Sequence, residues 1–540
     1  MEILRELKQL QFDRGHLDTS TLRELSERKR IPLYRLEGLV SFYPSFRTTR
    51  PPKAVVSVCR DITCAMAGSK SCHKQLLDHL GDRDDVEVHA VSCLGRCDAA
   101  PAATINNVPV SPLTLSDLSQ VLAIIDDRPE LSPDKPSRSM REWQCDPYKD
   151  GNSHYSTVKT LIASGKDVRR VCIQRLTDSQ LRGMGGAGFP AGRKWELVTQ
   201  EPAKQKYVIC NADESEPGTF KDRIILEELP HLIIEGMLLG GLTTGAEHGI
   251  IFLRHEYVSE QRAMESAIDE ARRLGVLGPN AAGSGQSFDI EIFVSPGGYI
   301  LGEETALLEA LEDRRGEPRN KPPYPGTHGL WGKPTLINNV ETLALATSII
   351  YYGSTWWHAQ GRGTFSGLKF ISISGDVVKP GVHEIPMGTT VAEVIERAGG
   401  IKGSQSLKAF LPGGPSSNFL TAQHCQTPLD FEAMKQAGSM LGTGAVIVIA
   451  ERHDLFALAT NLVQFFRNES CGKCVPCRIG SEKAVHVLER VLARNMVSSE
   501  LGMLSELRET MEQTSICGLG QVALNPICSM MKYFPEEVPE

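Results

Sequence analysis

The first fifty residues carry apolar side chains at helical spacing. Leu4, Leu7 and Leu10 recur every third position, and Leu22, Leu25 and the segment 36–40 give further apolar faces. The pattern changes over 53–58, a short β-branched run that predicts a buried strand. A helix over 70–80 and a second strand over 86–91 follow, and 102–110 carries Asn106-Asn107 between apolar runs, as a hairpin does. With a closing helix over 115–125 these elements predict a small α/β unit. Three prolines with charges and serines then mark 126–142 as linker. From about 150 to 360 helix-like and strand-like segments alternate between Gly-rich turns, an α/β pattern. A strand over 369–373, the turn Lys379-Pro380-Gly381, another strand, and a helix over 391–398 ending at Gly399-Gly400 come next. Beyond Glu451 the periodicity is helical, with Val485, Leu488 and Leu492, then Leu501, Leu504, Leu507 and Met511. There is no fixed-period repeat.

At about 150 residues per domain, 540 residues imply three to four domains. The expected divisions are a helical segment over 1–50, the small α/β unit over 51–126, a linker over 127–145, a larger α/β domain over 146–362, another over 363–450 and a helical domain over 451–540. Apolar residues at 41% and charged residues at 23% are ordinary globular values and exclude disorder and collagen. A formal charge of −8 without a long basic run gives nucleic-acid binding no support. The most apolar stretch, 232–242, is broken by Glu235 and glycines and is too short to span a bilayer. The amphipathic start lacks the apolar core of a signal peptide, so the expected location is cytoplasmic, with no membrane insertion.

Fourteen clustered cysteines change the picture, since clustering in such a chain points to metal or redox work. Cys59 and Cys64 form C-x4-C after the strand over 53–58; Cys93 and Cys97 form C-x3-C after the strand over 86–91. Two equivalent loops can converge, and four thiolates are what a [2Fe–2S] cluster requires. Zinc, which favours C-x2-C knuckles, is the weaker metal, and four unliganded thiols the bland alternative. Cys72 has no partner by spacing and is expected to pack. Further on, Cys471, Cys474 and Cys477 form C-x2-C-x2-C, which wraps one corner of a [4Fe–4S] cube and needs a fourth ligand. Cys517 in Cys517-Gly-Leu-Gly is the natural candidate and Cys528 its rival.

Between the clusters lies Gly183-Met-Gly-Gly-Ala-Gly-Phe-Pro-Ala-Gly-Arg-Lys194-Trp. Glycines let a backbone approach phosphates and a following helix N-terminus favours anions. No strand directly precedes Gly183, as a Rossmann fingerprint demands, so a tight turn is the competing reading. Phe189 could stack on a flat ring and Lys194 could hold a phosphate. Asn211-Ala-Asp213-Glu214-Ser-Glu216 follows a short strand; its carboxylates form a solvated turn or accept hydrogen bonds from ribityl or ribose hydroxyls. Tyr299-Ile-Leu-Gly302-Glu303-Glu304, Lys321-Pro-Pro-Tyr324 and Asn338-Asn339-Val-Glu341-Thr342 complete the polar set.

These residues bring two families together. Cys59–Cys64, Cys93-Leu-Gly-Arg-Cys97 with Ala100-Pro101, and the preceding Ser41-Phe42-Tyr43 resemble the thioredoxin-like [2Fe–2S] domain of the 24-kDa subunit of NADH dehydrogenases. The stretches 182–195, 211–223, 298–307, 321–342 and 471–478 with Cys517 resemble the 51-kDa flavin subunit of the same enzymes, and 372–400 resembles its soluble ligand-binding β-grasp (SLBB) domain. The resemblance implies a thioredoxin-like ferredoxin domain, a non-Rossmann FMN-binding α/β domain, a β-grasp domain and a C-terminal helical bundle holding a [4Fe–4S] cluster. It implies FMN contacts from Gly183, Gly185, Gly186, Lys194, Asn211, Asp213, Glu214, Gly302, Glu303, Asn338, Asn339 and Thr342. The nicotinamide nucleotide would stack on Phe189 and meet Glu216, Tyr299, Glu304, Lys321 and Tyr324, with Glu216 positioning the nicotinamide. Met184 departs from the family's usual basic residue, and Leu197 from its usual aromatic.

The implied activity is that of an NAD(H)-dependent diaphorase subunit with FMN, one [4Fe–4S] and one [2Fe–2S] cluster. Hydride would pass between NAD(H) and FMN and single electrons onward, with no obligatory acid–base side chain. A fused, compact diaphorase is most similar to the β subunit of NAD-dependent formate dehydrogenases, working in a hetero-oligomer with a cluster-bearing catalytic subunit. The flavin subunit of an NAD-reducing [NiFe] hydrogenase and a complex I-type enzyme are the alternatives; a non-catalytic iron–sulfur scaffold is the remote one.

Overall fold

The computed structural model describes residues 1–113, 141–149, 151, 153–494 and 501–539. The expected helix over 115–125 and most of the linker lie outside these residues. Three helices open the chain: Glu2–Arg14, Thr19–Lys29 and Leu33–Phe42. Leu4, Leu7, Leu22, Leu25 and Leu36 are buried, but their partners are distant in sequence. The N-terminal amine and the Leu4 N–H both bind Asp313, at 2.8 and 2.9 Å.

The small unit follows with β1 (Ala54–Cys59), β2 (Val86–Val91), β3 (Ala103–Ile105) and β4 (Val108–Val110), ordered β2-β1-β3-β4. β1 runs one residue further than expected, so Cys59 ends the strand instead of opening the loop. Asn106 and Asn107 take φ of 49° and 66°, the left-handed pair of a tight hairpin. Cys72 packs in this unit's core. The expected linker is not free at its C-terminal end: Trp143 and Cys145 are buried, and the Cys145 N–H donates to Glu384 at 2.8 Å.

The central domain contains β5 (Tyr207–Ala212), β6 (His248–Leu253), β7 (Asp289–Val294) and β8 (Thr335–Asn339), all parallel, in the order β7-β6-β5-β8. Side chains alternate between its faces. Val208, Cys210 and Ala212 join the core under helices Pro230–Thr244 and Val340–Tyr352. Ile209, Phe252 and Phe293 join the one shared with the N-terminal helices and the C-terminal bundle. Helix Pro230–Thr244 is apolar around its circumference because it is enclosed, its residues from Leu232 to Thr244 all buried. Among the described residues no helix is long and apolar enough to cross a membrane.

The next domain has β9 (Leu368–Gly375), β10 (Gly381–Pro386), β11 (Leu407–Leu411), β12 (Leu420–Thr421) and β13 (Ala445–Ala450), in the order β10-β9-β13-β11-β12. Helix Val391–Arg397 carries a complete capping box from Thr390 and Glu393, and Gly399 and Gly400 stop it at φ of 80° and 81°. The chain ends in helices including Leu455–Asn468, Val475–Leu492, Met503–Thr514 and Asn525–Tyr533.

The central and β-grasp domains are fastened by charge. Glu341, fully buried, accepts from the Phe370 N–H at 2.9 Å and from the ammonium groups of Lys369 and Lys221 at 2.6 and 2.9 Å. Lys221 also pairs with Asp222 at 2.7 Å. Burial alone would favour neutral lysine at position 221, but the charges of Asp222, Glu341 and Glu214 outweigh it and hold the pKa above its ordinary value. Lys369 is pushed down to about 8 by burial, although Glu341 opposes the shift. Removing one member of such a set leaves the others uncompensated in low dielectric. Glu341→Ala should therefore cost about 3–5 kcal/mol, read as a lowered thermal transition of the full chain. An unchanged transition would show that the network contributes nothing to stability.

Candidate functional site

In the order β7-β6-β5-β8 the chain leaves β5 toward β6 on one side and returns as β8 on the other. The crevice at the carboxyl ends of β5 and β8 is thus the topological switch point, where open α/β sheets accept ligands. The register puts Asn211 beside Asn339 and Cys210 beside Asn338 at this edge. The Gly-rich loop reaches it from outside the sheet: it precedes β5 and leads into helix Ala191–Gln200, unlike a dinucleotide fingerprint, which follows its strand. The Met184 N–H donates to Thr342 Oγ1 at 2.8 Å, and an added Cβ on Gly185 would sit 3.0 Å from the Asn339 Cβ. Gly186, at φ 114°, takes a conformation that suits glycine.

The expected polar residues converge around this crevice. Asn211 Nδ2 donates to the Gly302 carbonyl at 2.9 Å, Asn338 Oδ1 accepts from the Trp195 indole at 3.0 Å, and Asn339 Nδ2 donates to Asp222 at 2.6 Å. Lys194 donates to the Ile337 carbonyl at 3.1 Å and lies 3.7 Å from Glu304. Lys321 bridges Glu303 and Glu304 at 2.8 and 2.9 Å. Glu303 also caps its own helix through the N–H groups of Thr305 and Ala306. Phe189 and Tyr324 stand 44% and 59% exposed at the opening, as flat surfaces awaiting a stacking partner would. Asp213 is buried, yet its Oδ2 has no hydrogen-bond partner, and burial pushes its pKa up to about 6. A buried acceptor without a partner, on a residue packed against Gly302, suits a polyhydroxyl ligand.

Glu214 is engaged within the protein through its carboxylate. Its oxygens accept from the Asp222 and Arg223 N–H groups at 2.8 and 3.1 Å and from the Tyr257 hydroxyl at 2.9 Å. It supports the start of helix Lys221–Glu228. Glu216 accepts from the Tyr299 hydroxyl and from the Ser416 N–H. Met184 is buried, while Leu197 remains 39% exposed.

The β-grasp residues were not foreseen. Gly414 is packed so closely that an added Cβ would meet Glu216 Cγ at 3.1 Å, and Thr443 binds Thr219 at 2.7 Å. The glycines of Gly413-Gly414 and Gly442-Thr443-Gly444 were a signal of close backbone approach, but nothing in their spacing names the opposite surface.

Cys59, Cys64, Cys93 and Cys97 are all buried, with the Cys93 and Cys97 sulfurs 3.5 Å apart. Backbone N–H groups of Gly95, Ala102 and Gly218 reach Cys93, Cys64 and Cys97 at 3.4, 3.4 and 3.3 Å. Donors aimed at sulfur suit thiolate ligands, and Gly218 belongs to the central domain. Arg254 clamps the same junction, donating to the Cys93 and Glu214 carbonyls. In the C-terminal bundle Cys471, Cys474, Cys477 and Cys517 line one small cavity with Ile300, Pro318 and Leu519. Cys528 is not part of this lining; its sulfur lies 4.0 Å from the Leu504 carbonyl. Burial pushes the Cys477 thiol up to about 11 and the Cys517 thiol up to about 12.

Comparison with known proteins agrees with this geometry. Residues 176–347 match the Nuo51 FMN-binding domain, 1–126 the thioredoxin-like [2Fe–2S] ferredoxin, 370–419 the SLBB domain and 457–540 the NADH-ubiquinone oxidoreductase-F iron–sulfur binding region. The second F-type subunit of the NADH-quinone oxidoreductases of Rhizobium meliloti (strain 1021) is 42% identical over 391 residues, 72% of this chain and 92% of the relative. The chain belongs to the 51-kDa flavin-subunit family of NADH dehydrogenases. The NADP-reducing hydrogenase subunit HndC of Solidesulfovibrio fructosivorans is 41% identical over 66% of this chain and 73% of its own length. A chain of the crystal structure of an NAD+-reducing [NiFe]-hydrogenase in the air-oxidized state superposes with TM-score 0.88 at 31% identity, covering 99% of this chain and 92% of that one. The chain is thus an NAD(H)-dependent flavin iron–sulfur oxidoreductase subunit with FMN, one [2Fe–2S] and one [4Fe–4S] cluster.

The cavity lining includes Cys517 and not Cys528, which favours Cys517 as the fourth ligand. Cys517→Ser should lose the [4Fe–4S] signal in low-temperature EPR and about four irons per chain, whereas Cys528→Ser should keep both. The reverse pattern would move the ligand to Cys528.

Proposed function

We propose that this chain is the NADH-oxidising β subunit of a formate dehydrogenase, passing electrons between NAD(H) and a cluster-bearing catalytic partner in a cytoplasmic hetero-oligomer. What carries the redox part of this reading is that one segment, residues 211–218, joins the crevice to the first cysteine set. Asn211 and Asp213 stand at the crevice, Glu214 and Glu216 brace its walls, and Gly218 donates to Cys97.

In this reading Gly183, Gly185, Gly186, Lys194, Asn211, Asp213, Gly302, Glu303, Asn338, Asn339 and Thr342 hold FMN, with Glu214 as a positioning residue. When bound, FMN exchanges hydride with nicotinamide and single electrons with iron–sulfur clusters. Asp213 accepts from ribityl hydroxyls; Lys194 and Lys321 meet phosphate once drawn from Glu303 and Glu304. Phe189 and Tyr324 flank the nicotinamide nucleotide, and Glu216, fixed by Tyr299 and Ser416, orients its carboxamide. Cys59, Cys64, Cys93 and Cys97 hold the [2Fe–2S] cluster; Cys471, Cys474, Cys477 and Cys517 hold the [4Fe–4S] cluster. Burial raises the Glu216 pKa above its ordinary value, while its hydroxyl and N–H donors oppose the shift.

The fusion of both cluster modules with the flavin domain fits a compact diaphorase of the formate dehydrogenase kind, and the hydrogenase chain shares it. The near full-length match to an NAD+-reducing [NiFe]-hydrogenase chain favours hydrogen as the second reading. Anaerobic co-purification of the native complex, followed by formate- or hydrogen-dependent NAD+ reduction, separates them. Formate activity with molybdenum or tungsten present is the expected result; hydrogen activity with nickel would replace it.

Two variants test the pocket. Losing a hydrogen bond to a charged group of about 1.5–3 kcal/mol should lower kcat/KM for NADH about 10- to 100-fold in Glu216→Ala. Losing a ring contact of about 0.5–1.5 kcal/mol should lower it about two- to tenfold in Phe189→Ala. Iron content should remain that of the parent in both; loss of iron would show a structural role instead.

A further inference from the structure

We propose a zinc-binding site made by His154, His231 and Glu270, apart from the flavin crevice and both cysteine sets. His154 precedes helix Ser156–Ala163, His231 lies in helix Pro230–Thr244 and Glu270 in helix Val258–Arg273. Their ligand atoms all lie within 4.8 Å of one another, and all three residues are half-buried. The imidazole rings stack with centroids 3.7 Å apart, and His154 Nδ1 is 3.5 Å from Glu270 Oε1.

The surroundings prepare one nitrogen for a metal. Tyr155 Oη lies 2.7 Å from His231 Nδ1 and donates its own proton to the Ala267 carbonyl at 3.4 Å. With Nδ1 engaged by the phenol, Nε2 is the ring nitrogen open to a metal, and a metal there would set Nδ1–H donating to the phenol oxygen. Fixing the tautomer through the non-ligating nitrogen is what protein partners of metal-bound histidines do. Two imidazoles with one carboxylate match a zinc ion that keeps a fourth position for water. Bonds of about 2.0–2.2 Å would draw the three side chains together and turn the stacked rings until both lone pairs converge. Binding would then pin the segment that follows the linker to two helices of the central domain.

The full cluster-loaded chain should be equilibrated with one equivalent of zinc chloride, dialysed, and analysed for zinc and iron. The expected result is one zinc per chain beyond the iron, with nitrogen and oxygen but no sulfur neighbours in the zinc X-ray absorption spectrum. The thermal transition should rise with zinc. His154→Gln and Glu270→Gln should each lose that zinc while keeping iron and NADH-driven dye reduction. Tyr155→Phe should bind zinc about 10- to 100-fold more weakly in chelator competition. No retained zinc, sulfur neighbours, or parental zinc content in both ligand variants would each overturn the proposal and leave a stacked histidine pair. Because the half-buried His154 and Glu270 are changed conservatively, the test does not depend on a His231 variant folding.

Discussion

The architecture depends on a cost that folding ordinarily avoids: two lysines and two carboxylates withdrawn from water together. Lys221, Asp222, Glu341 and Lys369 are all buried. Such a set is tolerable only if every charge is paired and every remaining donor or acceptor is used. The structure meets that condition by recruiting backbone from two domains. Glu341 takes the Phe370 N–H of β9; Lys369, itself in β9, reaches the Thr443 carbonyl and back to Glu341. An apolar seam of equal area would tolerate sliding, whereas these pairs fix one register of the β-grasp sheet against the central domain. Asp222 extends that register to the crevice, because its other oxygen holds Asn339.

The same economy governs the junction with the first domain. Gly95 has φ of 69°, and an added Cβ there would lie 2.7 Å from the Tyr257 ring. Tyr257 donates to Glu214, and Arg254 spans from the Cys93 carbonyl to the Glu214 carbonyl. Asp98 pairs with Arg223 at 2.7 Å, and Thr63 meets Ser374 at 3.3 Å. The cysteine loops are therefore held by the groups that hold the flavin loop. Electron exchange through rigid contacts of this sort needs no domain movement, in contrast to enzymes that close a lid over the reacting groups.

How much of this was legible depended on the range of the interaction. The strand over 86–91, the Asn106-Asn107 hairpin and the helix stop at Gly399-Gly400 are local, and the sequence pattern located them closely. The cysteine spacings carried a cofactor class because cluster ligation needs fixed short intervals. What stayed hidden is contact between separate elements: Met1 on Asp313 and Ser416 on Glu216 across 312 and 200 residues, and Glu341 on Lys369 across 28. Glu214 shows the limit most clearly. A carboxylate at a strand end beside a Gly loop reads as a ligand contact, but the N-terminus of helix Lys221–Glu228 and Tyr257 claim both its oxygens. The helix N–H groups lie eight and nine residues on, whereas Tyr257 is 43 residues away.

Glu469 carries this logic into the C-terminal bundle. It sits two residues before Cys471, accepts from Ser92 beside Cys93, and accepts from the Tyr299 N–H at 2.9 Å. Tyr299 in turn donates to Glu216. One carboxylate thus relates the first cysteine set, the second, and the loop lining the crevice, without itself belonging to any of them. Two cofactor-binding domains joined only by a linker would sample many separations, and electron-transfer rates would vary with each. A hydrogen-bonded tie between Ser92, Glu469 and Tyr299 removes that freedom, so the geometry of exchange is set by the fold of a single chain.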